Sequence, residues 1–551
     1  MNHIELFAGC GGLSLGLESA GFELLLANEL SPMAAETFAY NFFGEDLASL
    51  VTAPSSSKRE LRTKWLSTKF PMQNMGQRLR EDPREYPKLG TGVTDLQATA
   101  ALKGSLVVGS IVQLNQWLSK NEAARALIKD GFGSGGVDLV SGGPPCQSFS
   151  MAGMREYSNA RNVLPMEFAN FVQMVMPKMA LLENVTGILR PFSVGEKKIH
   201  AWFEVAKAFA AAGYVPLCLH VNAKFAGVAQ NRPRFLMFLF RTDIYQTLLR
   251  TLNDVEKELL VPSGSFFERV SEDPALEFEA GALSYFDVKD ASDLALFEGS
   301  FLAPLVAFGR ERAGYTVKDA IHDLCEAGGN RSPYLEELDK HLAPHVAVHQ
   351  MENHELRQNS PHVKRRFRIY QVLQNVPKGV QNEVQALLAG TGNDLSHGSL
   401  VELAAHWYLG DNGERIVFGK EDYPSITQYL LRHQTKKQTQ KALDPSSPAP
   451  AALSIPDDAC HYEELRTLSV REMARIQSFP DNFAFRSKVT TGGQMRKFEV
   501  PQYTQVGNAV PPLLGRALGL VFSELLSRAA FQADRAAQKQ KIHDVGKEVT
   551  I

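Results

Sequence analysis

Cysteine is scarce in this chain. The five present among 551 residues, Cys10, Cys146, Cys218, Cys325 and Cys460, lie far apart and form no C-x-x-C pair. That excludes a disulfide framework and a zinc knuckle, and it predicts a reduced, cytosolic setting. An excess of one charge is lacking too, since 58 Lys and Arg against 61 Asp and Glu leave a net charge of −3. Any contact with a polyanion must then come from local basic patches, not from a global field. No uninterrupted apolar run reaches bilayer-spanning length and no signal peptide is expected ahead of the first apolar segment, which argues against a membrane role. H-E-x-x-H is missing, so the cluster His341, His345, His349 and His354 carries no zincin chemistry, and no metal is expected. The glycine-rich turn near the N-terminus is not G-x-G-x-x-G, which argues against an ordinary NAD enzyme.

Several features are present. Ile4-Glu5-Leu6-Phe7 reads as a short strand that runs through Ala8-Gly9-Cys10-Gly11-Gly12 into a helix starting near Leu13. Glycines there let the backbone approach a ligand, and the helix N-terminus offers free N–H groups. A second strand, Glu23 to Ala27, ends at Asn28-Glu29, where an acidic side chain can accept both hydroxyls of a ribose. Further strands are expected at Val107 to Ile111, Val137 to Val140, Met179 to Leu182 and Phe235 to Phe240, with amphipathic stretches between most of them. Alternating β and α with polar residues at strand ends predicts an α/β fold, a doubly wound, mostly parallel Rossmann-like sheet.

Gly142-Gly143-Pro144-Pro145-Cys146-Gln147-Ser148 follows the fourth of these strands. Glycine and proline stop the strand and force an irregular loop. A cysteine is thereby left at the C-terminal edge of the sheet, where open α/β sheets place their ligands. It is a candidate nucleophile; the competing reading is a small buried hydrophobe.

Six ordered motifs carry a resemblance. Phe7-Ala8-Gly9-Cys10-Gly11-Gly12, Pro144-Pro145-Cys146-Gln147, Glu183-Asn184-Val185, Gln230-Asn231-Arg232-Pro233-Arg234, the stretch from Leu468 to Asp481, and Gly507-Asn508-Ala509-Val510-Pro511-Pro512 look like those of the prokaryotic C5-cytosine DNA methyltransferases. The match covers roughly residues 1–50, 105–240 and 443–525. Two departures stand out. Ser110 occupies the place where the family carries an acid for the adenine amino group, and residues 53–105 exceed what its compact members need.

The resemblance implies a methyl transfer from S-adenosylmethionine to cytosine C5. Cytosine C5 is a poor nucleophile, but a thiolate added at C6 turns the ring into an enamine whose C5 attacks the methyl group. A base then removes the C5 proton and the thiolate leaves. In these terms Cys146 is the nucleophile, Glu183 bonds cytosine N3 and the exocyclic amine, and Arg234 faces cytosine O2. Arg232 shares the catalytic assignment, with bracing of the loop as its alternative. The cofactor shell comprises Phe7, Ala8, Gly9, Gly11, Gly12, Leu13, Glu29, Ser110, Ile111, Pro145, Leu164, Asn508 and Val510. The target base must leave the duplex, at a cost of about a few kcal/mol.

Three segments are expected: a catalytic domain at 1–240 with its insert at 53–105, a smaller target-recognition domain at 241–442, and a return to the catalytic domain at 443–551 through a Pro/Ser linker at Asp444 to Pro450. Basic patches lie at Lys364-Arg365-Arg366-Phe367-Arg368, at Arg432, His433, Lys436, Lys437 and Lys441, and across 58–88, where nine Lys or Arg face four acids. Each could hold phosphates or be a solvated face. The expected partner is duplex DNA, bound by a monomer in a prokaryotic cytoplasm, with a cognate restriction endonuclease as a further candidate. Two alternatives remain open at this point: a tRNA methyltransferase on the same scaffold, and a non-catalytic DNA-binding regulator. The roughly 200-residue middle segment favours DNA, because sequence readout needs surface.

Overall fold

The computed structural model describes the chain except residues 52–59, 97–101, 146–163, 195–196, 278, 280, 309–313, 327, 349, 438–439, 452–453, 494, 496–497 and 549–551; side chains at 51, 194, 197 and from 536 onward are likewise outside the described set. Cys146, His349 and residues 53–59 and 97–101 of the 53–105 insert lie outside the described residues.

Nine strands form the main sheet: β1 (Asn2–Leu6), β2 (Glu23–Glu29), β3 (Thr63–Trp65), β4 (Ser105–Val108), β5 (Leu139–Gly142), β6 (Met179–Val185), β7 (Tyr214–Asn222), β8 (Pro233–Arg241) and β9 (Tyr285–Asp287). Their spatial order is β9-β7-β8-β6-β5-β1-β2-β4-β3. All neighbours pair in parallel except β8, which runs antiparallel to both β6 and β7. The central strands are buried on both faces, as in β1 and β4, which explains their near-continuous apolar sequence. Because β1 lies between β2 and β5, the winding direction reverses there and opens a crevice at the carboxyl ends of the strands. The doubly wound, mostly parallel fold is the one read from the sequence. The periodicity did not disclose β7, and the insert supplies the edge strand β3.

Helix α1 (Gly12–Ser19) packs directly on the long C-terminal helix, Pro512–Glu548. Small residues allow the close crossing. A Cβ on Gly16 would come 2.5 Å from the backbone of Gly515 and Arg516, and one on Gly519 would come 2.5 Å from Ala20. The stretch Gln502–Arg535 is long and apolar enough to cross a membrane by length and composition, yet 67% of its apolar window is buried inside the protein. Leu514, Leu518, Val521, Phe522 and Leu525 share a core with β6, β7 and β8, so this apolarity serves packing.

The middle of the chain divides by where its side chains are buried. Residues Tyr245 to Val306 share the core of the catalytic sheet, and β9 is its edge. Apolar residues at 245, 248, 259, 260, 294 and 297 join the cluster that holds the sheet's own side chains. A distinct core gathers Phe367, Ile369, Val384, Leu387, Tyr408, Ile426, Tyr429 and Cys460. This smaller unit is helical, with a two-stranded ribbon of Trp407–Leu409 and Arg415–Val417. The Pro/Ser segment is pinned, not loose: Ala449–Pro450 pairs with Gln230–Asn231, and Val317 N–H donates to the Ser447 carbonyl at 3.0 Å.

Candidate functional site

The glycine turn leaves β1 through Phe7 and Gly9, both at positive φ (57° and 56°), and enters α1 at Gly11 (φ 97°). The three glycines serve different ends. A Cβ at Gly9 would meet nothing within 4 Å, so Gly9 faces open space. At Gly11 it would strike the Phe42 ring at 2.3 Å, and at Gly12 the Val510 carbonyl at 2.2 Å. Gly11 and Gly12 are thus required by protein packing, whereas Gly9 leaves room for a ligand. Ala8, Leu13 and Ile111 are buried; Phe7 and Leu164 are half-buried against the core that holds Ile111.

Glu29 ends β2 beside this turn. Its carboxylate accepts the Gly9 N–H at 2.8 Å and the Ser31 N–H at 2.7 Å. Burial pushes its pKa above the usual carboxylate range, opposed by those N–H groups. Asn28, which sequence reasoning left without a role, donates its amide to the carbonyls of Val107 (2.9 Å) and Gly109 (3.0 Å). That tie fixes the Glu29 wall against the wall formed by Ser110 and Ile111. Ser110 sits at the N-cap of the helix Ile111–Lys120 without a side-chain capping bond.

Glu183 and Arg234 meet on adjacent antiparallel strands. Leu236 is the register partner of Glu183, which places Arg234 on the same face one pair along. Arg234 Nε lies 2.6 Å from Glu183 Oε1, with both side chains about nine-tenths buried. The N–H is not aligned for a hydrogen bond, so this is an ion pair by proximity. A Cβ on Gly143 would come 2.9 Å from Glu183 Oε2, and Asn184 donates to the Pro144 carbonyl at 2.9 Å. The β6 end therefore grips the loop up to exposed Pro145, the last described residue before Cys146.

Arg232 points elsewhere. Its guanidinium donates to the carbonyls of Gly507 (2.7 Å), Ala509 (3.0 Å) and Ala451 (3.3 Å). Burial, reinforced by Arg234, lowers its pKa. It braces the segment containing exposed Asn508 and half-buried Val510. The stretch from Leu468 to Asp481 is structural as well. Ser469 and Glu472 form a reciprocal cap on Val470–Ile476, and Arg475 bonds Asp481 at 2.7 Å and Asp323 at 2.6 Å.

Cys10, within the turn, is buried, and that burial pushes its thiol pKa up, which disfavours the thiolate. Beneath the turn, Ser14 donates to Glu5, whose pKa burial pushes up to about 8. Of the described histidines in the 341–354 cluster, His341 contacts Glu337 and His354 contacts Ser469. Among the described residues one other group, His322, Cys325 and Glu463, brings potential ligand atoms within 4.8 Å of one another. The Tyr462 hydroxyl already bonds His322 (2.9 Å) and Cys325 (3.5 Å) there. The basic patches are partly neutralised: Arg365 pairs with Asp411 at 3.0 Å, Arg368 lies 3.8 Å over the Trp407 ring, and Lys437 pairs with Asp457 at 2.8 Å.

Comparison with known proteins follows the same residues. The family described as C-5 cytosine-specific DNA methylase matches residues 1–63 and 119–523. Type II methyltransferase M.DdeI of Desulfomicrobium norvegicum is 27% identical over 519 residues, covering 94% of this chain and 87% of that protein. Type II methyltransferase M.AgeI of Thalassovita gelatinovora is 26% identical over 572 residues, covering 94% and 98%. Among solved structures, a DNA modification methyltransferase encoded within a prophage of E. coli aligns at 19% identity and TM-score 0.44, over 96% of this chain and 99% of that one. The S. pombe Dnmt2 methyltransferase aligns at 12% identity and TM-score 0.38, over 96% and 98%. The family match runs through the glycine turn, the Glu183–Arg234 strands and the segment that Arg232 braces, and on that ground the chain belongs to the C-5 cytosine-specific DNA methylase family and is a DNA (cytosine-5-)-methyltransferase.

Proposed function

We propose that this enzyme methylates C5 of a cytosine turned out of duplex DNA, with Cys146 as the nucleophile and Glu183 and Arg234 facing the base. The observation that carries this reading is the buried Glu183–Arg234 pair, wrapped against the Gly143–Pro144 loop that leads to Cys146. Glu183 presents a carboxyl group to cytosine N3 and the exocyclic amine, and holds a proton at N3 while the thiolate adds to C6. Arg234 stabilises charge developing on O2. Once C5 carries the methyl group, its proton passes to a base and the C6–S bond breaks, restoring the thiolate.

S-adenosylmethionine, the donor that a methyltransferase of this family implies, supplies a sulfonium-bound methyl group. The residues fit it. Gly9 leaves open space beside the turn, Glu29 presents a carboxylate next to it, and Ser110 and Ile111 form the facing wall. Phe7 and Leu164 add apolar surface, Pro145 lies toward the methionine end, and Asn508 and Val510 close the side held by Arg232. Gly11, Gly12, Ala8 and Leu13 shape the turn through packing.

The smaller unit cored around Phe367 and Tyr429 is the target-recognition domain in this reading. A separate core projecting its own surface supports DNA over tRNA as substrate. The relatives are Type II methyltransferases, which supports pairing with a cognate restriction endonuclease and a cytoplasmic site of action. The test is transfer of labelled methyl from the donor to duplex DNA or to tRNA, followed by bisulfite sequencing. Label in DNA is expected. Label only in tRNA reverses the substrate assignment.

A further inference from the structure

We propose that the insert furnishes a strap, Tyr86 to Leu89, that walls the adenosine end of the donor pocket; this rests on the cofactor site proposed above. The family match passes over residues 64–118, so nothing in it assigns this segment a role.

The strap touches both walls of that site. The Tyr86 hydroxyl donates to the carbonyl of Leu30, the residue after Glu29, at 3.3 Å. Its ring packs against the core cluster that includes Ala8 of the glycine turn and Ala27 of β2. One residue on, the Pro87 carbonyl accepts from the Gln113 amide at 3.2 Å, two residues past Ile111. Leu89 packs against the core that holds Ile111, as Phe7 does. Tyr86, Pro87 and Leu89 are half-buried, while Lys88 between them is exposed. The segment therefore spans from the ribose wall to the adenine wall.

The rest of the insert is built to hold it there. Arg78, fully buried, pairs with Asp95 at 2.6 Å, and Asp95 also accepts the Trp65 N–H of β3 at 2.9 Å. Thr68 and Val93 form a bridge, and Gly92 sits so close to Pro87 that a Cβ there would come 2.7 Å from its ring. Arg84 stacks 3.3 Å over Phe498, ahead of the helix Gln502–Asn508. A segment anchored on β3 and tied at each end is a preformed wall. It supplies apolar and aromatic surface to an adenine slot where Ser110 offers no carboxylate.

Calorimetry with S-adenosylhomocysteine on the full chain tests this, with hydrogen exchange read on the same ligand. Tyr86→Ala is expected to raise Kd about tenfold, the order of one lost aromatic contact. Ligand is expected to slow amide exchange across 86–93 in the wild type, which a purely structural insert would not show. Glu29→Ala serves as the control. If Glu29→Ala weakens binding while Tyr86→Ala binds like wild type and 86–93 gains no protection, the strap is refuted and the pocket stands. If neither variant weakens binding, the cofactor site itself is wrong. Should Tyr86→Ala fail to fold, Leu89→Ala carries the same reading, and wild-type affinity there counts against the strap.

Discussion

Gly12 lies directly beneath the carbonyl of Val510, so close that a single added methyl would stand 2.2 Å from that oxygen. Two segments almost five hundred residues apart in sequence meet there. The contact seats the chain's last motif on its first. Gly12→Ala is expected to displace the Val510 segment and destabilise the fold by about 1–3 kcal/mol, the usual cost of overpacking. Thermal unfolding reads the loss, and donor affinity should fall with it. An unchanged melting temperature would mean that the segment yields freely.

Cys146→Ala should abolish turnover while S-adenosylhomocysteine affinity stays within about twofold, since uniform binding and chemistry separate in such a variant. A duplex carrying 5-fluorocytosine gives a second readout. Fluorine at C5 cannot leave as a proton, so the thioether to C6 should persist and be found on Cys146 by mass spectrometry. An adduct on another residue would relocate the nucleophile.

Glu183→Gln keeps the shape of the side chain but removes both the acid and the charge opposite Arg234. We expect kcat to drop about 100-fold or more, the range for a lost general acid, with donor affinity retained. A drop confined to KM would instead assign Glu183 to base binding alone.

Arg232 acts through the backbone it holds. Arg232→Ala strands the carbonyls of Gly507 and Ala509, at a cost of about 1–3 kcal/mol for each that stays unpaired and buried. Reduced stability together with weaker donor binding is the expected outcome. A normal melting temperature with lost kcat would return Arg232 to the base-facing group.

Glu5 makes stability depend on pH. Its pKa rises from 4.5 in the free side chain to about 8 in the fold, through burial. Between those values the folded state binds the proton more tightly than the unfolded state, so stability falls as pH rises. The contribution is full below pH 4.5 and gone above about 8. Glu5→Gln, which still accepts from Ser14, should flatten the slope of unfolding free energy between pH 5 and 8. An identical slope in both proteins would contradict the assignment.

Much of this was legible in sequence. Short apolar runs ending in Gly, Asn-Glu or Gly-Gly-Pro-Pro announce strands feeding ligand loops, because parallel strands buried on both faces have little choice but apolar residues. The order of the motifs gave the reaction class. Arg234 was read as facing the base, but for Arg232, just ahead of the strand, catalysis and bracing stayed open, because the carbonyls it meets lie more than two hundred residues away in sequence. The insert was equally opaque, since Tyr86 carries no periodic signal.

Local composition therefore determined the doubly wound sheet and the glycine turn, and the resemblance of the ordered motifs supplied the residue types that chemistry at C5 requires. Only the tertiary structure decided which glycine borders open space and which a carbonyl, which arginine meets Glu183, and which residues share the separate core. Those outcomes depend on contacts between residues far apart in sequence, and a contact of that kind leaves no pattern in either of its two segments.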